Sequence, residues 1–536
     1  MGAGPDVCGE IVRILLEEGV TTRGRLEDVK RRACAGAGCA RVPTDAELLA
    51  RLPPGVSHGL VGLLRTKPSR TLSGVAVVAV MSPPAACPHG RCAYCPGGVG
   101  EGTPQSYTGE EPAARRARRA GYDPAAQVRD RLAQLGGIGH PTDKVELVVM
   151  GGTFPATERS SRDAFVRACL EALGGAPAAD LNAAIAANEG APHRCVALTL
   201  ETRPDLCTPA GVDDLLGLGA TRVEVGVQTT DDRALARVGR GHGSRESAEA
   251  TRALKDAGLK VGHHLMPGLP GLSREEDLRA MLRVVEDPDF RPDLLKLYPT
   301  LVMPGTELHK SWLRGEYVPL DDAAAVALLA DFKSRLPRWV RVSRVERDIP
   351  AGLIAAGVRA SNIRQLVQAR LRERGQRCAC IRCREVGRLG TERPGRGTAS
   401  PDPRGLVVRE ERYGASGGEE LFLSLELPEG DALVAYARVR RPSPRAWRPE
   451  LAGAAVLREV RVLGEVLPLH ARPRDDAGSL EWQHRGLGAR LVGLSEEAAR
   501  AWGMDRLAVM AGMGTRGYFR RLGYSLDGPY MVSPRL

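Results

Sequence analysis

Six short apolar runs recur between residues 75 and 298: Val75–Met81, Val145–Met150, Val196–Leu200, Val223–Val227, Val261–Leu265 and Leu294–Tyr298. Amphipathic stretches of helical period separate them, among them Arg162–Leu173 and Arg274–Val285. Strands this continuously apolar are buried on both faces, and a chain that alternates them with helices builds a parallel sheet covered by those helices. Six such units predict an α/β fold, an incomplete (β/α)6 barrel. In such a barrel the loops after the strands form the reactive face, so the residues that follow each run are where chemistry is to be sought.

Around that core the 536-residue chain divides further. Residues 1–74 read as a small helical, basic module, with apolar spacing at Ile11, Val12, Ile14, Leu15 and Leu16 and at Leu48, Leu49 and Leu52. The barrel and its extension are expected over 75–387, and a Pro/Gly-rich linker over 388–405. A mixed α+β domain is expected over 406–536, where strand-like runs give way to a helix from Gly486 to Trp502. No stretch approaches the ~20 apolar residues of a membrane span and the N-terminus lacks a leader pattern, so the protein is expected in the cytoplasm, with no membrane partner. There, twelve cysteines point to metal or redox chemistry where they cluster and to packing where they do not.

The first cluster follows the first run: Cys87-Pro-His-Gly-Arg-Cys92-Ala-Tyr-Cys95. Three thiols can hold three irons of a 4Fe-4S cluster and leave the fourth iron open to an exogenous ligand. The bland alternative is structural zinc, with His89 as a fourth ligand. Gly151-Gly152, directly after the second run, favours the cluster, since residues without a Cβ let a cofactor approach, and Tyr94 stands where an aromatic residue before the last cysteine is common in the cluster enzymes that this pattern resembles. Glu201, Arg203, Glu224 and Gln228 fall where polar groups can meet ribose or substrate. The pattern resembles the radical S-adenosylmethionine enzymes, with one departure: four residues, not the usual three, separate the first two cysteines.

In the C-terminal region, Gln483-His-Arg-Gly486-Leu-Gly488 matches the Gln/Arg-x-x-Gly-x-Gly/Ala segment of GNAT acetyltransferases. There the amides at a helix N-terminus bind the coenzyme A pyrophosphate. Arg458–Val462 supplies the preceding strand, and Tyr518, Phe519 and Gly523-Tyr524 complete the pattern.

Both signatures on one chain make a more specific resemblance. Cys87 through Gly98, Gln105-Ser-Tyr-Thr-Gly109, Met150-Gly-Gly-Thr-Phe154, Glu201-Thr-Arg-Pro-Asp205, Glu224-Val-Gly-Val-Gln228, Lys296-Leu-Tyr-Pro-Thr300 and Gly528-Pro-Tyr-Met531 resemble the catalytic subunit of Elongator in its stand-alone bacterial or archaeal form. The resemblance implies a radical reaction at the wobble uridine in the anticodon of tRNA. The bound 4Fe-4S cluster and S-adenosylmethionine would supply a radical, acetyl-CoA would be the co-substrate, and carbon 5 of the uracil would receive a carboxymethyl group. It also implies an electron donor, and leaves open a homodimer or accessory Elongator subunits. Lys144, Glu459, Val460, Arg461, Val462, Leu487, Gly488 and Ala489 fall on the family's acetyl-CoA contacts. Lys144 would sense the thioester and Tyr518 would serve catalysis, while Phe519 stands where the family carries a second tyrosine. The competing reading is a protein lysine acetyltransferase with a structural iron–sulfur domain.

A second cluster, Cys378-Ala-Cys380-Ile-Arg-Cys383, is expected to bind zinc, as prokaryotic relatives do here. It sits in a basic segment: Lys333 to Arg388 carries a local excess equal to the formal +11 of the whole chain. Such a segment suits a polyanion. The expected RNA surface comprises Arg370, Arg372 and Arg374 with Arg115, Arg116, Arg118 and Arg119, and Arg65, Lys67 and Arg70.

Overall fold

The computed structural model of the chain describes residues 6–152, 154–392, 402–475 and 479–536. Seven strands form the first sheet in strictly sequential order: β1 Ala76–Met81, β2 Lys144–Met150, β3 Arg194–Thr202, β4 Arg222–Gln228, β5 Lys260–Leu265, β6 Leu294–Leu297 and β7 Arg341–Arg344. Every neighbouring pair is parallel. The order follows from the connections, since each strand-to-strand crossover carries helix and returns beside the strand it left. Local signals set the helices: Asp123 caps Pro124–Gly136, and Ser273 with Glu276 forms a capping box on Arg274–Glu286.

The expected six strands are therefore joined by a seventh, Arg-Val-Ser-Arg at 341–344. Among the described residues no pairing joins β7 back to β1, so the barrel stays open along a seam between these two edges.

The second sheet has the order β13-β14-β12-β11-β10-β9-β8. Its members are β8 Val407–Ala415, β9 Gly418–Leu427, β10 Ala432–Arg441, β11 Ala454–Val462, β12 Arg506–Val509, β13 Ser525–Asp527 and β14 Tyr530–Val532. Only β11 and β12 pair in parallel, and the chain between them includes the helix Leu487–Ala501. This is the expected α+β unit, enlarged by the edge strand β8. Part of the expected linker is ordered: 386–392 continues as the helix Val386–Glu392, Pro403–Gly405 forms a short helical turn, and 393–401 lies outside the described residues. The N-terminal module is helical as expected and has its own small core around Ile11, Leu15, Leu26, Val29 and Leu48. Among the described residues no helix is long and apolar enough to cross a membrane.

The two sheets share one continuous apolar core. Between them lies a fully internal ion network. Arg458 donates to both oxygens of Asp293 at 2.7 and 2.6 Å and to Glu420 at 2.7 Å; Arg440 donates to Asp256 at 2.6 Å and Glu420 at 3.0 Å. Lys255 reaches Glu420 at 3.2 Å and Arg438 reaches Glu459 at 3.0 Å. Four cations thus meet four carboxylates, all buried and only Glu459 keeping slight exposure, and pairing is the condition under which buried charge is tolerated. Burial alone would raise the Asp293 carboxyl, but Arg458, Lys255 and Arg438 hold it well below its usual range.

Candidate active site

The loop after β1 carries Cys87, Cys92 and Cys95 at the C-terminal mouth of the barrel. Backbone bonds pin it: Cys95 N–H donates to Cys92 C=O, and Ala93 N–H to Val238 C=O, both at 3.0 Å. Donors surround the sulfurs. Gln105 Nε2 donates to Cys95 Sγ at 3.0 Å and Arg240 Nη1 to Cys92 Sγ at 3.8 Å. His89 Nε2 lies 3.1 Å from Cys92 Sγ and 3.1 Å from Arg203 Nη1. Burial and the guanidiniums of Arg203 and Arg240 push His89 down to about 4.

These surroundings test which metal group the triad suits. The guanidiniums of Arg203 and Arg240 beside the triad suit its thiols in the thiolate form, which a 4Fe-4S cluster and a zinc ion both need, so the spacing of the sulfurs decides between them. The three thiols do not converge as a single tetrahedral ion requires, whereas those of Cys378, Cys380 and Cys383 do, all within 4.8 Å of one another. Bonds of ~2.3 Å at tetrahedral angles place sulfurs ~3.8 Å apart.

Below the triad, the cavity of about 640 Å³ runs through the barrel interior, lined by Cys87, Tyr94, Gly152, Glu201, Gln228 and Lys296 among others. Gly151 has φ +119°, and a Cβ there would stand 2.3 Å from Ser82 Oγ, so glycine is required. Its N–H donates to Glu201 Oε2 at 3.3 Å, which also accepts from Tyr107 Oη at 2.8 Å. Gln228 ends β4 at φ +70°, a left-handed conformation that a non-glycine residue adopts only under local constraint. On the floor, Glu224 is ion-paired to Lys296 and accepts from His264 Nε2 at 3.0 Å. Sequence reasoning alone does not single out Gln105, Tyr107, Arg240, His264 or Lys296. A signal exists for some: Gln105 and Tyr107 stand in one family-like string, and Lys296 in another.

At the far end of the same cavity stands Arg461 of β11. Nearby, Gly486 has φ +77° and opens the helix Leu487–Ala501 with no side-chain cap, leaving its first amides for a ligand. Gln483 does not face solvent: its Nε2 donates to Gly74 C=O at 3.0 Å, and its Oε1 accepts from Leu467 N–H at 3.1 Å and Lys144 Nζ at 2.6 Å. Burial lowers Lys144 to about 8. The Tyr518 hydroxyl is buried without a hydrogen-bond partner and lies 3.0 Å from where a Cβ on Gly488 would be. Glu459, expected at the acetyl-CoA contacts, has its side chain committed to Arg438.

Phe519, which its motif places at the cofactor, is 4% exposed and packs between Tyr518 and Tyr524, with ring centroids 5.2 and 5.8 Å away. It belongs to the core of this domain. Of the expected RNA surface, Arg65 is buried, donates to Gly139 C=O at 2.9 Å and pairs with Glu465 at 2.6 Å. Arg118 and Arg374 pair with Glu110 and Asp331, and Arg370 with Glu373; Arg115, Arg119 and Arg372 stay exposed.

At the second cysteine site, Lys333 is fully buried, with Nζ 3.4 Å from Cys378 Sγ and 3.8 Å from Cys383 Sγ. Bonds from Cys378 and Cys383 push the Cys380 thiol well below its ordinary value.

Comparison with known proteins agrees with this geometry. A model of the radical SAM superfamily matches residues 81–284, a radical SAM C-terminal domain matches 292–373, and an ELP3 N-terminal domain matches 5–72. The tRNA uridine(34) acetyltransferase of Methanocaldococcus jannaschii is 43% identical over 97% of this chain and 96% of its own. Elongator complex protein 3 of Danio rerio is 43% identical over 95% and 92%, and that of Homo sapiens 40% over 98% and 96%. The solved structure of Methanocaldococcus infernus Elp3 with an N-terminal deletion superposes with a TM-score of 0.75 at 40% identity, covering 87% of this chain and 100% of that one. With its cluster-binding barrel and acetyltransferase-like sheet on one cavity, the chain belongs to the Elongator complex protein 3 family of radical SAM enzymes.

Proposed function

We propose that this protein modifies the wobble uridine of tRNA, using an acetyl group brought as acetyl-CoA. The observation that carries the reading is the cavity itself: one space is lined at one end by Cys87 and Tyr94 of the radical site and at the other by Arg461 of the acetyltransferase-like sheet. A co-substrate held on the second sheet can therefore reach into the barrel. Relatives 43% identical over nearly the whole chain carry a name that specifies tRNA uridine(34), which favours RNA over the lysine of a protein as acceptor.

Cys87, Cys92 and Cys95 would hold the 4Fe-4S cluster, and Gly151, Gly152, Glu201 and Gln228 would surround S-adenosylmethionine. Bound there, the pair supplies a carbon-centred radical able to take hydrogen from the acetyl methyl group. The protein's own share is placement and protection. The amides of Leu487 to Ala489 take the coenzyme pyrophosphate, Lys144 meets the thioester, and the unpartnered Tyr518 hydroxyl is ready to donate to the departing thiolate. On the floor, His264, joined to Glu224 through Nε2, is placed to take up the proton lost from the uracil ring, whose accompanying electron would pass to the group held by the three cysteines; Lys296, already an ammonium in its ion pair, holds the Glu224 carboxylate in place. Cys378, Cys380 and Cys383 hold zinc, whose net charge of −1 with three thiolates Lys333 offsets. We assign 1–74, 75–387 and 406–536 as the RNA-contacting module, the barrel with its metal extension, and the acetyl-CoA domain, working in the cytoplasm with an external electron donor.

The test is anaerobic reconstitution with S-adenosylmethionine, acetyl-CoA, reductant and tRNA, followed by mass spectrometry of the nucleosides. An acetyl-derived adduct on uridine, lost in Cys92→Ala, is expected. A spectroscopically intact cluster with no adduct would end this reading.

A further inference from the structure

The chemistry above leaves the open seam of the barrel without a role. Val77, in the middle of β1 between fully buried Ala76 and Val78, is 40% exposed, and it lines the cavity with Ala79 from one edge and Ser343 and Arg344 of β7 from the other. The two unpaired strand edges thus face one cavity, with Arg341 of β7 reaching Ser73 Oγ, just before β1, at 3.0 Å.

Arginines flank these edges. On the β1 side, Arg70 ends the turn Pro68–Arg70, Arg116 lies in the helix Pro112–Arg119 and Arg131 in the helix Pro124–Gly136; both helices pack on β1. On the β7 side, Arg382 lies in Ile381–Arg384, packed on β7. All four line the cavity. Among the described residues Arg70, Arg116 and Arg131 make no ion pair: Arg116 donates to its own helix at Pro112 C=O, 3.1 Å, and Arg131 to Gln134 at 3.4 Å. Arg382 has Glu385 at 3.9 Å, but that carboxylate is also paired to Arg341 and Arg388.

An ordinary solvated basic face does not behave this way. Burial and mutual repulsion with Arg116 and Arg70 push Arg131 down to about 10, and Arg382 shares its one nearby carboxylate with Arg341 and Arg388. Such crowding costs stability in the free protein, and a bound anion removes the cost. Guanidiniums match phosphate oxygens bidentately, and a single-stranded nucleotide with its base turned out presents phosphates on both sides of that base.

We propose that the seam is the entrance for the target nucleotide, and that Arg70, Arg116, Arg131 and Arg382 bind the phosphodiesters flanking the extruded base. This rests on the reading that RNA is the substrate. The other source of phosphate is coenzyme A, and the test separates the two.

The experiment measures tRNA affinity against salt, and acetyl-CoA affinity, for the cluster-loaded protein and for Arg116→Gln/Arg131→Gln and Arg382→Gln. The double variant should bind tRNA about tenfold more weakly at moderate salt, as removal of charge-assisted bonds implies. Its slope of log affinity on log salt should be shallower by about 0.7 to 0.9 for each phosphate no longer neutralised. Acetyl-CoA affinity should stay unchanged, and the melting midpoint should hold or rise as repulsion is relieved. Arg131→Gln alone, with the change in slope of a single phosphate, keeps the test decisive should the double variant fail to fold. Unchanged tRNA affinity and slope overturn the proposal, as does loss of acetyl-CoA binding with tRNA binding intact. If wild type binds tRNA yet leaves uridine unmodified, the functional reading fails while the arginine assignment is still judged by binding.

Discussion

Replacing Asp293 by Asn removes one charge from the network between the two sheets and leaves its shape unchanged. Asp293 accepts from Arg458 at 2.7 and 2.6 Å and from Val261 N–H at 2.8 Å, with Lys255 and Arg438 at 3.8 and 3.6 Å, and it is fully buried. The variant leaves four cations facing three carboxylates. Each charge-assisted bond is worth about 1.5 to 3 kcal/mol, and breaking one partner of a buried pair costs about 3 to 5 kcal/mol, much of it from the charge left behind. At about 2 °C per kcal/mol for a large domain, the melting midpoint should fall by roughly 6 to 10 °C in calorimetry. Because the network joins both sheets across a shared core, the barrel and the second sheet should melt together in the wild type. An Asp293→Leu/Arg458→Met pair, which removes the charge from both sides, should recover much of the loss. A fall under about 1 kcal/mol, or separate wild-type transitions for the two sheets, would refute the reasoning.

Three further outcomes are expected. Lys144 is lowered to about 8 by burial, so its ammonium is lost as pH rises through 8; acetyl-CoA affinity measured by calorimetry should fall between pH 7 and 9, and Lys144→Met should abolish that inflection. Because its folded value lies below its ordinary one, its burial penalises folding fully below pH 8, a penalty that fades toward pH 10.5. Gln105→Leu removes the N–H donated to Cys95, so the reconstituted cluster should keep its iron content but titrate at a more negative potential by EPR, and an unchanged potential would remove Gln105 from any tuning role. Phe519→Tyr would push a hydroxyl into the packing between Tyr518 and Tyr524, costing about 1 to 3 kcal/mol in urea unfolding without improving acetyl-CoA affinity.

The first six strands are legible because most of each is buried, Val77 at the cavity excepted, which writes burial as a largely apolar run. The seventh is not: β7 is four residues long, lies at the open edge, and turns Arg341 and Arg344 toward the cavity, so its sequence reads as basic loop. The edge strand β8 is hidden for a related reason, since charges at Arg409, Glu410, Glu411 and Arg412 mask the apolar alternation, as an edge exposed to pairing requires. The cysteine triads are legible because their ligands are close in sequence. Lys333 against Cys378 and Arg240 against Cys92 are not, because an interaction between residues distant in sequence leaves no local pattern. Phe519 shows the converse: position in a motif suggests the cofactor, and packing assigns the side chain to the core.

The central claim is that the acetyltransferase-like sheet serves the radical barrel with its co-substrate. The direct measurement uses acetyl-CoA deuterated at the acetyl methyl group, with the reconstituted enzyme, S-adenosylmethionine and tRNA, and reads the isotope content of the 5′-deoxyadenosine released. Deuterium in that product, matched by an adduct on uridine that has lost one deuterium, is the predicted result. Unlabelled 5′-deoxyadenosine alongside a fully deuterated acetyl group on any acceptor would contradict it.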